Sequence, residues 1–138
     1  MKVNIALLTV TDTRTFDNDK SGAILATKIN EANHNLLDRK ICKDNKDEIV
    51  LILKEWLKIE KIDVIITTGG TGLTGRDITP EALDEIADKH ISGFGELFRY
   101  LSYKKIGTST IQSRSTAFLV NKKYVFCTQK TRFFQGNE

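Results

Sequence analysis

The apolar and polar positions divide the chain into short apolar runs that alternate with longer amphipathic segments. Apolar side chains concentrate in residues 2–11 and in Val64–Ile66, and such runs are typical of strands buried on both faces. Apolar residues at three- and four-residue intervals predict helices over residues 21–32, over residues 46–61, and from Thr79 toward Ile91. Strands that alternate with helices indicate a three-layer α/β/α fold around a mostly parallel sheet.

Several boundaries can be predicted from single residues in the first part of the chain. Residues 34–42 have apolar positions interrupted by charges, which predicts a strand at a peripheral position in the sheet. Residues 15–20 contain no aliphatic side chain, so we expect a surface loop there, followed by a helix with Ser21 as its N-cap. At the third helix Thr79 is the expected N-cap, and Pro80 fits the first helical position.

The second half of the chain is less periodic. Gly93-Phe94-Gly95 interrupts the helical pattern, which resumes over residues 96–103. Residues 107–115 are rich in serine and threonine, and we expect them to form a loop that can donate hydrogen bonds to a phosphate or a heterocycle. Residues 117–120 fit either a strand or the end of a helix, and a turn at 121–123 leads into a strand over 124–127.

The most distinctive stretch lies between the central strand and the third helix, where residues 69–75 hold four glycines. Glycines permit positive φ and let an anion approach backbone N–H groups closely. The next two residues are Arg76, which has a planar and permanently charged guanidinium, and Asp77, which has a carboxylate suited to a divalent metal. The segment matches neither a P-loop nor a Gly-x-Gly-x-x-Gly dinucleotide loop. The residues alone leave two hypotheses open, a phosphate-binding loop and a flexible turn without a ligand.

Polar residues after the first two strands are further site candidates, because ligands in open α/β sheets bind beyond the carboxyl ends of strands. Asp12, Arg14 and Ser21 follow the first strand. Asp44 follows the second, where an ordinary turn aspartate is the alternative interpretation. Further along the chain, Glu96 either reaches toward the site together with Arg99 or pairs with it at i,i+3.

Composition excludes several functional classes. The 138 residues suit a single domain, and 21 basic against 18 acidic residues give a net charge of +3. No basic run exceeds two residues, so nucleic-acid binding is not indicated. The slight excess of positive charge suits an anionic small-molecule ligand. The early apolar stretch Ile5–Val10 is too short for a signal or membrane segment. Cys42 and Cys127 do not form a metal-binding or disulfide pattern, so we expect reduced thiols in a cytoplasmic protein.

The glycine-rich segment contains a long and specific motif, Thr67-Thr68-Gly69-Gly70-Thr71-Gly72 followed by Arg76-Asp77 and Thr79-Pro80-Glu81-Ala82. This motif resembles the MoaB/MogA family of molybdenum cofactor biosynthesis proteins, which shares its fold with the gephyrin G domain. Three more blocks match, the last two closer to the MoaB branch: Thr9-Val10-Thr11-Asp12-Thr13-Arg14 with Ser21-Gly22, Gly93-Phe94-Gly95-Glu96 with Arg99, and Gly107-Thr108-Ser109-Thr110 with Ser113-Arg114. The resemblance covers residues 3–128.

The resemblance implies a molybdopterin-binding protein that adenylylates molybdopterin with ATP and Mg²⁺. It implies that Asp44 and Asp77 are the catalytic carboxylates that place Mg²⁺. Phosphoryl-type transfer needs mostly positioning and charge stabilisation, and groups of these types can supply both. The implied ligand-binding residues are Gly69, Gly70, Thr71, Gly72, Arg76, Asp12, Arg14, Ser21, Ser113 and Glu96. It also implies a homotrimer or a homohexamer.

The chain departs from the family after the last predicted strand. Gln129-Lys130-Thr131 stands where the family has a Pro-Gly turn, so we expect a molybdopterin-binding domain over 1–128 and a divergent tail over 129–138. Without a terminal helix, one face of the sheet is expected to lack cover, which also favours association. The departure favours an alternative function, a binding or assembly protein without turnover. A generic flavodoxin-like nucleotide-binding domain is the third hypothesis.

Overall fold

The computed structural model describes residues 1–71 and 77–128. These residues form six strands and four α-helices, with one 3₁₀ helix at Gly107–Gln112. In chain order the elements are β1 (Asn4–Val10), α1 (Lys20–Glu31), β2 (Asn35–Cys42), α2 (Lys46–Leu57), β3 (Val64–Thr68), α3 (Thr79–Asp84), β4 (Lys89–Ile91), α4 (Ser92–Ile106), β5 (Thr116–Val120) and β6 (Lys123–Thr128).

The strands form one mixed sheet in the order β2-β1-β3-β6-β5-β4. β1 is parallel to β2 and β3, and β3 is parallel to β6, so the carboxyl ends of these four strands meet at one edge. β5 is antiparallel to both of its neighbours, β6 and β4. The mostly parallel sheet and the edge position predicted for β2 are both confirmed.

Helices cover both faces of the sheet, as the three-layer prediction requires. Ile49 and Leu53 of α2 are fully buried against one face. Val125 of β6 belongs to this core, whereas its neighbour Phe126 points the other way and packs on Phe94 of α4 with ring centroids 5.0 Å apart. Each of these buried aliphatic side chains contributes roughly 1.5–3 kcal/mol to the free energy of unfolding.

Trp56 lies in this core, as expected from its position on the apolar stripe of α2. Its side chain is 1% exposed, and its indole Nε1 donates a 2.9 Å hydrogen bond to Oδ2 of Asp38 on β2. The helix itself ends at Leu57, earlier than the predicted residue 61. Its N-cap is Asn45, whose side chain accepts a hydrogen bond from the backbone N–H of Glu48.

The predicted start of α1 is wrong by two residues. Asp19, not Ser21, is the N-cap, and its Oδ1 accepts a 3.0 Å hydrogen bond from the backbone N–H of Gly22. Asp19 is 3% exposed, so residues 15–20 are not entirely the surface loop that their polarity predicts. A carboxylate can be buried here because several donors compensate for its lost hydration.

The third predicted helix is also wrong in its extent. α3 ends at Asp84, and the following residues form β4 instead of further helical turns. The backbone N–H of Asp88 donates to Leu119 O at 2.8 Å, and the ring of His90 packs edge-on against Phe118. Pairing with β5 therefore overrides the helical pattern. The N-cap of α3 is Ile78, so the predicted cap Thr79 is the first helical residue.

Gly95 does not interrupt a helix, because α4 runs without a break from Ser92 to Ile106. A Cβ on Gly95 would lie 2.5 Å from Nη2 of Arg99 and 2.6 Å from Ser115 O. This glycine therefore permits a close approach instead of a turn. The predicted loop after α4 begins with a 3₁₀ helix, and the ambiguous residues 117–120 lie in β5. Asn121 and Lys122 have positive φ and connect β5 to β6.

Within residues 1–71 and 77–128, exposed apolar side chains lie on α4 and on the sheet face beside it. The first, the apolar face of α4, consists of Leu97, Tyr100 and Leu101, which are 57%, 59% and 41% exposed. The second is the sheet face beside α4, where Tyr124 is 50% exposed and Phe126 is half-buried. No helix in the described part of the chain is long and apolar enough to cross a membrane.

Candidate functional site

Buried threonines line the carboxyl-terminal edge of the central strands. Thr9 of β1 lies beside Thr68 of β3, and Thr68 lies beside Thr128 of β6. The hydroxyl of Thr128 donates to Thr67 O at 2.9 Å, and Thr128 O accepts from the backbone N–H of Gly69 at 3.0 Å. β3 and β6 are thus joined at the point where the glycine-rich segment begins.

Gly69 and Gly70 both have positive φ, at 98° and 70°, as expected for this segment. The hydroxyl of Thr79 donates to Gly69 O at 3.2 Å, and the Thr79 N–H donates to Gly70 O at 3.1 Å. A Cβ on Gly70 would lie 2.2 Å from Thr79 Oγ1 and 3.3 Å from Asp44 Oδ1. Glycine at position 70 is therefore required both by the backbone conformation and by the lack of space.

Asp44 connects three of the predicted site segments. It is buried, and its Oδ1 accepts a 3.0 Å hydrogen bond from the backbone N–H of Ile78, the residue after Asp77. Its own backbone N–H donates to Oδ1 of Asp12 at 3.2 Å. The polar residues at the ends of β1 and β2 and the entry to α3 therefore meet beside Gly70.

Mg²⁺ is the metal that the family resemblance implies, and it prefers oxygen ligands such as carboxylates. Within residues 1–71 and 77–128, no group of three or more acidic, histidine or cysteine side chains could hold a metal ion. Nucleotide-bound Mg²⁺ is usually held by one or two carboxylates, with phosphate oxygens and water completing the octahedron. Asp44 and Asp77 are two carboxylates of the kind that such a metal ion uses, and the segments that carry them meet at the hydrogen bond between Asp44 Oδ1 and the Ile78 N–H.

The segment after the 3₁₀ helix brings further hydroxyls to this edge. Ser113 is buried, and its Oγ lies 2.9 Å from Oγ of Ser115. Nη1 of Arg99 on α4 donates to the backbone oxygens of Ser113 and Ser115 at 3.2 and 2.8 Å. The interpretation in which Arg99 reaches toward the site is the one that these hydrogen bonds support.

Arg114 joins this segment to the chain on both sides of residues 72–76. Its backbone N–H donates to Thr71 O at 2.9 Å. Its guanidinium donates to the backbone oxygen of Asp77 and to the carboxylate of Glu81. The sequence offers Arg114 as a donor in the loop 107–115 and as part of a family-like block, but nothing local predicts which distant carbonyls an arginine will contact.

The other sequence candidates are placed as follows. Arg14 is exposed, and its Nη1 donates within its own loop to Asn18 O at 3.3 Å. Ser21 is half-buried in the first turn of α1. Glu96 is exposed on α4. Two candidates lie outside the described residues: Gly72 and Arg76.

Sequence reasoning missed Asp19, which stabilises the first of the site segments. Its Oδ2 accepts hydrogen bonds from Oγ1 of Thr9 at 2.6 Å and from Nη2 of Arg39 at 3.1 Å, while Oδ1 caps α1 through Gly22. Asp19 thus ties the end of β1 to the start of α1, and the loop that carries Asp12 lies between them. An aspartate three residues before the first buried helical position is an N-cap pattern that could have identified it.

Neither cysteine is suited to nucleophilic or metal chemistry. Burial, together with the nearby carboxylates of Glu48 and Asp44, raises the pKa of Cys42 to about 12. Burial likewise raises the pKa of Cys127 to about 12. Both thiols are therefore neutral at physiological pH, and thiolate chemistry requires the deprotonated form.

Known proteins share this sequence over most of its length. The family model described as "Probable molybdopterin binding domain" matches residues 6–128. Molybdenum cofactor biosynthesis protein B of Staphylococcus aureus (strain MRSA252) is 48% identical over 127 residues, which cover 90% of this chain and 75% of that protein.

Solved structures share the fold. A crystal structure of molybdenum cofactor biosynthesis protein B has a TM-score of 0.91 and 38% identity, with 99% of this chain and 88% of that chain covered. The crystal structure of the tungsten cofactor synthesizing protein MoaB from Pyrococcus furiosus has a TM-score of 0.84 and 32% identity, with 97% and 89% covered.

Proposed function

The chain belongs to the molybdopterin-binding domain family of molybdenum cofactor biosynthesis proteins, and on this premise we propose that it binds molybdopterin and adenylylates it with ATP. The terminal phosphate oxygen of molybdopterin attacks the α-phosphorus of ATP. A new P–O bond forms, the bond between the α-phosphorus and the bridging oxygen breaks, and pyrophosphate leaves. The products are adenylylated molybdopterin and pyrophosphate.

The observation that carries the proposal is the hydrogen bond between Asp44 Oδ1 and the N–H of Ile78. It holds the carboxylate at the end of β2 against the residue that follows Asp77, directly beside Gly70. Two carboxylate-bearing segments and a glycine-rich segment therefore converge at the carboxyl-terminal edge of the sheet, where ligands of open α/β folds bind. This combination suits an anion that is accompanied by a cation.

The proposed division of labour follows from the chemistry of each group. Asp44 and Asp77 hold Mg²⁺, which supplies positive charge to the phosphate oxygens during transfer. Gly70 and Thr71, with Gly72, present backbone N–H and hydroxyl donors to phosphate, while Gly69, whose own N–H is bonded to Thr128 O, provides the positive-φ turn into this segment. Ser113 adds a further hydroxyl, and Arg76 neutralises charge on the transferred group.

The remaining candidates contact the pterin and the nucleotide in this proposal. They are Asp12, Arg14, Ser21 and Glu96. Of these, Asp12 has the strongest geometric support, because its carboxylate accepts the hydrogen bond from the Asp44 backbone.

The experiment combines purified chain, molybdopterin, ATP and Mg²⁺, and measures AMP transfer and pyrophosphate release. Asp77→Asn keeps the side-chain shape but removes the charge, so we expect turnover to fall by about 100-fold or more while pterin affinity changes by less than about threefold. Asp63→Asn is the matched control, since Asp63 lies at the opposite edge of the sheet, where it accepts a hydrogen bond from the Asn4 N–H. Parental turnover in Asp77→Asn would exclude the metal role.

A second function is favoured by one sequence feature, the replacement of the family's Pro-Gly turn by Gln129-Lys130-Thr131. In this alternative the chain binds molybdopterin without adenylylating it. Molybdopterin binding without AMP transfer would support this alternative. Binding of flavin or nucleotide without pterin would instead support the generic nucleotide-binding hypothesis.

A further inference from the structure

One residue, Arg114, binds the chain on both sides of residues 72–76. The backbone N–H of Arg114 binds Thr71 O at 2.9 Å, on the amino-terminal side of residues 72–76. The guanidinium of the same residue binds Asp77 O and the carboxylate of Glu81, on the carboxyl-terminal side. Arg114 therefore links Thr71 to Asp77 through its own covalent structure.

α4 holds Arg114 in place through its neighbours. Nη1 of Arg99 donates to the oxygens of Ser113 and Ser115, the residues on either side of Arg114. Arg99 fits there because position 95 is glycine: a Cβ on Gly95 would lie 2.5 Å from the Arg99 Nη2. Arg99 on α4 thus constrains the backbone on both sides of Arg114, and this backbone orients the Arg114 side chain.

The ion pair is a poor explanation for this arrangement. The side chains of Arg114 and Glu81 are 30% and 46% exposed, and exposed pairs of this kind contribute little to stability. The guanidinium matters more for the relative position of its partners, because its planar group binds the Asp77 oxygen and the Glu81 carboxylate at once. The ammonium of lysine is a single point charge and does not reproduce this fork.

We propose that Arg114 is a positioning residue that holds Asp77 in register with Thr71, and that Arg99 and Gly95 position Arg114. The effect of Arg114 on turnover rests on the proposed function, since Arg114 acts through the backbone of Asp77, the proposed Mg²⁺ carboxylate. The effect of Arg114 on the backbone at Asp77 does not depend on any activity. The two consequences can be measured separately.

The first measurement is hydrogen exchange of the backbone amides in purified Arg114→Gln, Arg114→Lys and the parent chain. Arg114→Gln should speed exchange by about tenfold or more within residues 77–81, at the amides of Ile78 and Thr79, which donate to Asp44 Oδ1 and Gly70 O. The Asp77 oxygen beside them loses its donor in this variant, while β1 and α2 should keep parental rates. Arg114→Lys should restore less than half of the lost protection. Lys46→Gln is the matched control, as it removes an exposed 2.8 Å ion pair to Glu85, the residue after α3.

The second measurement is the dependence of AMP transfer on Mg²⁺ concentration. A displaced Asp77 should raise the Mg²⁺ concentration for half-maximal rate by about tenfold in Arg114→Gln, and saturating Mg²⁺ should recover most of kcat. Arg99→Gln should show the same pattern with a smaller shift. A purely structural loss would instead lower kcat at every Mg²⁺ concentration and speed exchange throughout the chain.

Each outcome bears on the proposal. Local exchange at 77–81 with a shifted Mg²⁺ requirement supports it. Parental exchange and parental Mg²⁺ dependence in Arg114→Gln overturn it, as does loosening of the whole fold. A parent chain that transfers no AMP refutes the proposed function, and the exchange pattern of Arg114→Gln then still decides the positioning role.

Discussion

Gly70→Ala tests whether the glycine-rich segment is constrained by the surrounding structure. Gly70 has a φ of +70°, and an alanine in the left-handed region costs about 1–2 kcal/mol. The new Cβ would also lie 2.2 Å from Oγ1 of Thr79, so the threonine must move and lose its 3.2 Å hydrogen bond to Gly69 O, which costs about 1 kcal/mol. We therefore expect the free energy of unfolding to fall by about 2–3 kcal/mol, a large part of the roughly 5–15 kcal/mol typical of a domain.

Urea unfolding measures this change, with tryptophan fluorescence and circular dichroism as independent probes of two-state behaviour. Gly93→Ala is the matched control, because a Cβ at this position of α4 meets nothing within 4 Å. It should leave the free energy of unfolding unchanged or raise it by about 0.5–1 kcal/mol.

The contact with Thr79 can be isolated with a double-mutant cycle. If the clash displaces the hydroxyl, Thr79→Ala should cost about 1 kcal/mol less in the Gly70→Ala background than in the parent. A loss below about 1 kcal/mol for Gly70→Ala, or strict additivity in the cycle, would show that the backbone adjusts freely, and the argument for a constrained segment would fail.

Three further predictions follow from burial and exposure. The pKa of Cys42 and Cys127 rises from 9.0 to about 12 on folding, so their contribution to stability is complete below pH 9 and is lost as pH rises toward 12. Urea unfolding should show a decline of up to about 1.4 kcal/mol per pH unit for each thiol, absent in the alanine variants. Trp56→Phe removes the hydrogen bond to Asp38 and should lower the free energy of unfolding by about 2–3 kcal/mol; a loss below about 1 kcal/mol would contradict this. Light scattering should detect a trimer or a dimer of trimers, and a folded monomer at high micromolar concentration would refute the association predicted from the apolar surfaces.

The parts of the fold that could be predicted depend on local patterns. Residues 5–8 form a continuous apolar run because β1 lies between two other strands and is covered on both faces, and Val64–Ile66 of β3 are apolar for the same reason. The glycine-rich segment was equally readable, because positive φ at Gly69 and Gly70 demands a particular residue type.

The errors occur where a distant partner decides the structure. Ile86 and Ala87 continue the helical spacing of α3, yet the chain leaves the helix because β4 can pair with β5, some 30 residues later. Asp19 lies in a polar stretch and is buried only because Thr9 and Arg39 converge on it. The N-cap contact of Asp19 with Gly22 is local, whereas its ion pair with Arg39 joins residues 20 positions apart.

The candidate site shows the same division. Asp44 was proposed from its position after a strand, but its engagement with the backbone of Ile78 is visible only in three dimensions. The contacts of Arg114 could not be predicted, because its partners Thr71, Asp77 and Glu81 are more than 30 residues earlier in the chain. Sequence patterns locate the edge of the sheet where the site forms, whereas long-range contacts determine which side chains hold it together.

The interior position of β6 bears on the order in which the molecule assembles. Val64 of β3 pairs with Tyr124, about 60 residues later, and β6 fills the space between β3 and β5. Closing such a large loop is slow, and β3 presents an open edge during synthesis until Lys123–Thr128 has left the ribosome. Because Gly69 is anchored to Thr128 O, the glycine-rich segment gains its final support only when this last strand enters the sheet. A nascent chain is therefore expected to expose an aggregation-prone strand edge and to be unable to bind ligand until nearly all of the domain has emerged.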